Sequence, residues 1–392
     1  MSDERLYTPA FWLACAIHFT GGMSVAMFLL FPLFVRALGG DELAIGGLLG
    51  LGMAASVATR PVVGALLDRL GRRRVLLAAG LLNAVFSLPF VVVRTVGPAL
   101  AILAAVHFVV AGALFAAYFT YAADLVPATR RVEGTAMFGI AGMASNGLGP
   151  ALGEVLIARA GYAAFFVVAA AFAALSTLLT AFAREVAAPR GQPARGLVHD
   201  FAGVVFRGGL GRVLLATALF GAGTDAAFFF VAPYTRDVGI AHAAPFFATY
   251  ATTTIVIRFF GRRLPDRLGP HALAIPFFVV FAIGLAALTL LPFPGVLVAA
   301  GIACGAGHGT LFPVLNGIAV QRTPTRFHGT VVSLYTAALD GGGVLGTPLC
   351  GAVAHAAGYR AMFGMMAVAS LCGLGLVRVD ARAERAAADR AS

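Results

Sequence analysis

An all-helical (all-α) polytopic membrane protein, built from two similar six-helix halves, is the fold class the sequence predicts, and three observations predict it. The 392 residues are 60% hydrophobic and only 11% charged, against about 25% charged in a soluble domain. Roughly twelve apolar stretches follow one another, each near the ~20 residues a helix needs to cross the hydrocarbon core. Marker residues of the first six stretches recur in the last six at offsets of 197–201. The same composition excludes disorder and an ordinary soluble enzyme, and 48 glycines without a Gly-X-Y period exclude a collagen-like chain.

The stretches fall at 9–36, 44–66, 74–93, 98–123, 134–157 and 161–183, then at 209–234, 242–261, 271–292, 296–319, 329–355 and 358–377. They read as helices because period-2 alternation is absent and an unpaired backbone group in lipid costs several kcal/mol. The polar interval 184–208, with proline, glycine and four arginines, reads as a linker between an N-terminal half (1–183) and a C-terminal half (209–378), leaving 379–392 as a tail. The opening MSDERLYT is too acidic for a signal peptide, so the first stretch is expected to persist as a helix. Cys15, Cys304, Cys350 and Cys372 lie inside spans without CxxC spacing and read as small packing residues, with no disulfide or metal role.

All 28 basic residues are arginine, and the formal charge is +11. Short arginine clusters between apolar runs point to anionic lipid headgroups and away from nucleic acid, which needs a basic face on a soluble domain. With both termini inside, 23 arginines fall in cytoplasmic loops, tails and helix ends, Arg60 and Arg258 among them. Five remain outside: Arg36, Arg94, Arg159, Arg236 and Arg360. That bias predicts a multi-pass protein of the cytoplasmic (inner) membrane with both termini cytoplasmic.

The repeat is specific. Arg60 precedes Asp68 by eight residues and Asp68-Arg69-Leu70-Gly71 follows; Arg258 and Asp266-Arg267-Leu268-Gly269 repeat the arrangement. Pro32 answers Pro233, Pro127 answers Pro324, and Gly161-Tyr162 answers Gly358-Tyr359. Parallel duplication of a six-helix unit sets a substrate cavity between the halves near the bilayer midplane. A transporter is therefore favoured over a membrane enzyme, and no HExxH, GxSxG or P-loop is present.

Gly64-Ala-Leu-Leu-Asp68-Arg69-Leu70-Gly71-Arg72-Arg73 resembles the loop 2–3 signature of the major facilitator superfamily, and Gly149-Pro150-Ala151-Leu152-Gly153 resembles the antiporter signature of its drug-efflux branch. The resemblance implies that Asp68 docks on the start of span eleven near Gly329-Thr330 while Arg72 bridges Asp68 and Asp124. This latch would hold the outward-open state. It also implies that spans five and eleven, with Gly149/Gly153 and Gly342/Gly346, face each other across the cavity, and that Pro150 kinks span five. Members of this branch usually carry an arginine in span four, where this chain has Ala104 with His107 one turn along.

Ionisable groups at membrane depth are costly unless they face protein or water. Asp225, followed by Phe228-Phe229-Phe230, and Asp340 are the first candidates for proton coupling; Glu154, His18, His107 and His308 are further ones, with buried hydrogen-bonding roles favoured for the histidines. Cavity candidates are Phe28, Phe115, Phe119, Phe228, Phe229, Phe312 and Tyr335 with Asn146 and Asn316. No arginine falls at mid-span in spans one to six, ten or eleven, so a hydrophobic, neutral or cationic solute is expected rather than a phosphate or dicarboxylate. The leading expectation is a monomeric carrier in the lipid bilayer that exports amphipathic small molecules on the proton gradient, without a cofactor. An uptake or facilitated-diffusion carrier for a specific metabolite is the alternative.

Overall fold

The computed structural model describes residues 6–127, 130–185, 210–261, 264–323 and 328–388, and their regular structure is helical throughout. Helix α1 (Pro9–Met27) continues through a 3-10 turn into α2 (Phe31–Ala37); α3 (Glu42–Leu70), α4 (Arg72–Ser87), α5 (Pro98–Leu125) and α6 (Arg131–Ala181) complete the first half. The second half comprises α7 (Leu210–Asp237), α8 (Ala244–Phe260), the short α9 (Leu264–Leu268), α10 (Pro270–Leu288), α11 (Val296–Gln321) and α12 (His328–Ala388). Most of the predicted linker lies outside the described residues.

Local chemistry starts these helices. The Thr8 hydroxyl accepts from the Phe11 amide at 3.2 Å with Pro9 in the first turn, and Asp41 accepts from the Ala44 amide at 2.9 Å. Both satisfy amides that a helix start leaves open.

Among the described residues, nine helices are long and apolar enough to cross a membrane. Two of them, α6 and α12, break at Gly161 (φ 75°) and Gly358 (φ 82°), so each supplies two crossings. The 17 residues of α8 span ~26 Å, slightly under the hydrocarbon thickness. With α8 counted, all twelve expected spans have a place.

The packing scheme repeats with the sequence. In the first half α1 lies on α6, α3 on α5, and α4 on α5 and α6; in the second, α7 lies on α12, α8 on α11, and α10 on α11 and α12. The halves meet through α3 against α12 and α6 against α8. The repeat exchanges these two contacts, as a twofold axis requires.

The start of α1, the α3/α4 turn at Gly71 and the ends of α5, α11 and α12 share one end of the bundle, called here the terminal end; the opposite end is the far end. Backbones touch toward the far end: a side chain on Gly46 would meet the Thr347 carbonyl and Gly351 Cα, and one on Gly50 would meet Pro348. The glycines expected to face each other across the cavity pack within their own halves instead. Gly149 and Gly153 lie on Ala26 and Leu30 of the α1–α2 crossing, and Gly342 and Gly346 lie on α7 at Ala218 and Ala222. They serve helix-to-helix packing of the small-residue kind.

Named contacts between halves run from Arg36–Asp237 at the far end to Arg60–Asp340. Toward the terminal end from there, Val62, Leu66 and Leu70 of α3 and Val332 of α12 stand exposed. Among the described residues, the named ion pairs between the halves therefore lie between the far end and Arg60–Asp340.

Gly161 (φ 75°, ψ −179°) and Gly358 (φ 82°, ψ 166°) hold a backbone conformation open essentially to glycine and have open space around them, so a methyl group there acts through the backbone alone, at about 1–3 kcal/mol. Gly161→Ala and Gly358→Ala should each lower the melting temperature in detergent. Gly364→Ala, also in open space but at an ordinary helical φ, should not; equal melting of all three variants would refute the strain argument.

Candidate functional site between the two halves

Asp225 sits midway along α7. Its carboxylate occupies the space a side chain on Gly343 of α12 would take, and Met53 of the opposite half stands at the same place. No hydrogen bond or ion pair from the described residues reaches it. Ser24, its counterpart in the first half, accepts from Asn83 Nδ2 at 3.0 Å. The repeat therefore sets a satisfied neutral group opposite an unpaired acid.

Around Asp225 the second half gathers aromatic and polar side chains. The Tyr250 hydroxyl and His308 Nδ1 are 2.5 Å apart, and Phe228 packs on both rings. One turn along α11, the Phe312 carbonyl accepts from the Tyr335 hydroxyl at 2.7 Å, with the two rings edge to face. Asn316 Oδ1 is buried without a partner. Phe229 crosses the interface to Phe108 at 5.9 Å between ring centres.

Arg258, expected at the cytoplasmic surface, belongs to this group. Its guanidinium carbon is 5.3 Å from the Phe312 ring centre, and Nη1 lies beside Gly139 of the opposite half. Its Nε is closed off from solvent and has no hydrogen-bond partner. Helix direction explains the placement: Cα–Cβ bonds tilt toward a helix N-terminus, which for α8 is the far end, so the side chain climbs into the interface. Arg60 on α3 has the same geometry and pairs with Asp340 of α12. Asp340 is thus already neutralised, and the centre of the interface is not free of arginine. Arg258 thus brings a positive charge without a carboxylate partner among the described residues to this group.

In the first half, His18 stacks on Phe138 with centroids 4.5 Å apart, its Nδ1 3.3 Å from the Phe138 carbonyl, and Phe119 packs on both rings. His107 stacks on Phe28 at 3.6 Å, and Phe28 also packs on Phe90, Phe165 and Phe166. Phe28 is buried among these rings of its own half. Phe115 is exposed and rests on Phe119; Asn146 is half-buried on α6.

A charged network closes the far end. Arg36 pairs with Asp237 across the interface and with Glu42 at 2.8 Å. The Tyr359 hydroxyl donates to Glu42 at 3.4 Å, and His355 Nδ1 is 3.4 Å from Asp41. Buried Glu154 of α6 accepts from the amides of Ala243 at 2.7 Å and Ala244 at 3.0 Å, where α8 begins. A carboxylate on a helix start is a strong charge-assisted contact, so Glu154 is a clamp between halves rather than a free acid. In the sequence the only mark of the Arg36 pair is that an acid, Asp237, answers Arg36 at the repeat offset.

At the terminal end Arg72 is buried, its Nε donating to Asp124 at 2.7 Å and Nη1 to the Leu67 carbonyl at 3.1 Å. Arg73 Nη2 donates to the Ala181 carbonyl at 2.7 Å. Asp68 is 78% exposed and 3.7 Å from Arg72, and Arg69 and Gly64 are also open. The surroundings of Gly329, the expected dock for Asp68, lie outside the described residues.

Two six-helix repeats with one packing scheme, meeting through twofold-exchanged contacts around interfacial polar groups, define a multi-pass secondary transporter rather than an enzyme. A profile of the Major Facilitator Superfamily matches residues 11–294 and 213–392. The chain belongs to that superfamily. An uncharacterised MFS-type transporter of Salmonella typhimurium is 27% identical over 383 residues, covering 91% of this chain and 95% of the relative. One of Pseudomonas aeruginosa is 32% identical over 178 residues, 45% of this chain and 43% of the relative. The nucleoside transporter NupG superposes with a TM-score of 0.77 at 14% identity, covering 95% of this chain and 99% of that one. At that identity the likeness is one of fold.

Losing charge-assisted bonds worth about 1.5–3 kcal/mol each should unbalance the far end. In Glu154→Ala, spin labels on cysteines placed at Val96 and Phe293, in a background lacking the native cysteines, should show a longer-distance population grown at least about tenfold. An unchanged distance distribution would show that Glu154 does not hold the end closed.

Proposed function

We propose that the protein exports amphipathic small molecules by alternating access, in exchange for protons. The carrying observation is Asp225, an unpaired carboxylate at the seam of the halves, touched from one side by α12 and from the other by Met53. Separation of the halves changes what surrounds it, and a proton carrier needs a group whose environment differs between the two open states. The aromatic lining supplied by Phe228, Phe229, Phe312 and Tyr335 suits an apolar solute body.

The arginine-rich terminal end is the cytoplasmic one by the positive-inside rule, which puts both termini inside the inner membrane and makes this conformation inward-facing. One chain holds both halves of the transport unit, so it acts as a monomer, powered by the proton gradient without a cofactor. Asp68, exposed with the terminal end parted, docks toward the start of α12 when that end closes, with Arg72 and Asp124 as its base.

Proteoliposomes loaded with the pH dye pyranine test the coupling. Aromatic amphipaths of each charge class, added under an imposed pH gradient, should provoke proton flux with the native chain and none with Asp225→Asn. Solute flux through the native chain that moves no protons and ignores the gradient would make the protein a facilitated-diffusion carrier. For the latch, Asp68→Asn should slow solute flux at least about tenfold by weakening the outward-open state; native kinetics would remove Asp68 from the cycle.

A further inference from the structure

Arg60 and Arg258 are counterparts 198 residues apart, and the same offset links Pro150 with Pro348 inside α6 and α12. On that register the counterpart of Asp340 is Gly142. The two arginines therefore have the same origin in the fold and different fates. Arg60 is answered across the interface by a carboxylate. Arg258 looks across the equivalent contact, α8 against α6, and meets Gly139, while Gly142 faces the His18 ring. No carboxylate pairs with Arg258 among the described residues, and Asp225 makes no ion pair with it.

Only Nε of the half-buried Arg258 is closed off from solvent, and the Phe312 ring beside the guanidinium supplies it a cation–π contact but no hydrogen-bond acceptor. The unpartnered Nε is a donor with its direction already set. Around it stand Phe312 and Tyr335, and one turn along α11 the unpartnered amide oxygen of Asn316. Guanidinium forks match planar or tetrahedral oxyanions better than any neutral acceptor.

We propose that Arg258 is the recognition point for an oxyanion carried by the transported molecule, an aromatic or otherwise apolar body bearing a carboxylate, sulfonate or similar group. The anion does for Arg258 what Asp340 does for Arg60. Its apolar body lies against Phe312 and Tyr335. Because Gly139 of the first half flanks Nη1, the bound anion sits between the two halves and restores to the second contact the charge pairing the duplication left incomplete. This deepens the export reading and rests on it for the location of the site; the proton step through Asp225 is independent of it.

Three probes sharing a naphthalene body separate charge from shape: naphthalene-2-sulfonate, uncharged naphthalene-2-sulfonamide, and (2-naphthylmethyl)trimethylammonium. The sulfonate keeps its charge at all working pH values, so its binding reports the protein's groups alone. Calorimetric titration of the full chain in detergent should give at least tenfold tighter binding of the sulfonate than of the sulfonamide, and weakest binding of the ammonium. Arg258→Gln should bring the sulfonate down to the sulfonamide's affinity, and Arg258→Lys, which keeps charge but loses the fork, should fall between. Equal affinities, a preference for the ammonium, no binding of any probe at millimolar concentration, or a sulfonate preference that survives Arg258→Gln would each overturn the proposal. Should Arg258→Gln fail to fold, the native ranking and Arg258→Lys decide. A failed ranking with Asp225-dependent proton flux intact removes this inference alone; lost proton coupling with the ranking intact removes only the coupling.

Discussion

Direct backbone contact between α3 and α12 is the constraint on which the other arrangements depend. Gly46 and Gly351 have no side chains to hold the helices apart, so Gly46 rests on the Thr347 carbonyl and Gly50 on Pro348. With the far end that tight, Arg36 can reach Asp237, and Tyr359 can reach Glu42. The second seam, α6 on α8, closes with Gly147 against Ala251 and Glu154 on the first amides of α8. At the terminal end Asp68 stands exposed beside buried Arg72.

The duplication explains both what is regular and what is distinctive here. Regular features recur at one offset: Gly71 and Gly269 turn the chain between helices with φ of 89° and 83°, as Gly161 and Gly358 do at the far end. Distinctive features are places where the copies diverge. Ser24 is hydrogen-bonded where Asp225 is unpaired, and Gly142 stands where Asp340 would be expected. Groups with a counterpart are mostly satisfied within the protein. Asp225 and Arg258, whose counterparts Ser24 and Arg60 are each satisfied by a partner, stand without one at the interface among the described residues.

Much of this was legible in the sequence, because hydropathy, offsets and the loop 2–3 motif are properties of order along the chain. The spans, the Arg72–Asp124 contact and the burial of His18, His107 and His308 are of that kind. Side-chain direction is not. Arg60 lies eleven residues before Gly71, ~16 Å up the helix, yet neighbours that obey the positive-inside pattern make it look like one more surface charge. Arg258 is near a helix end by number and in the interface by direction. The face presented by Gly149 and Gly153 depends on helix rotation, which spacing alone does not define.

The clamp on α8 has a consequence for water. The amides of Ala243 and Ala244 are held by a buried carboxylate rather than by solvent. Separating the halves at that end strips these donors and Glu154 of their partners together, and no other described group is placed to replace them. The far end therefore cannot open dry: each cycle must admit water to the start of α8 as it opens and expel it on closing. Hydration of that helix start is part of the conformational change itself.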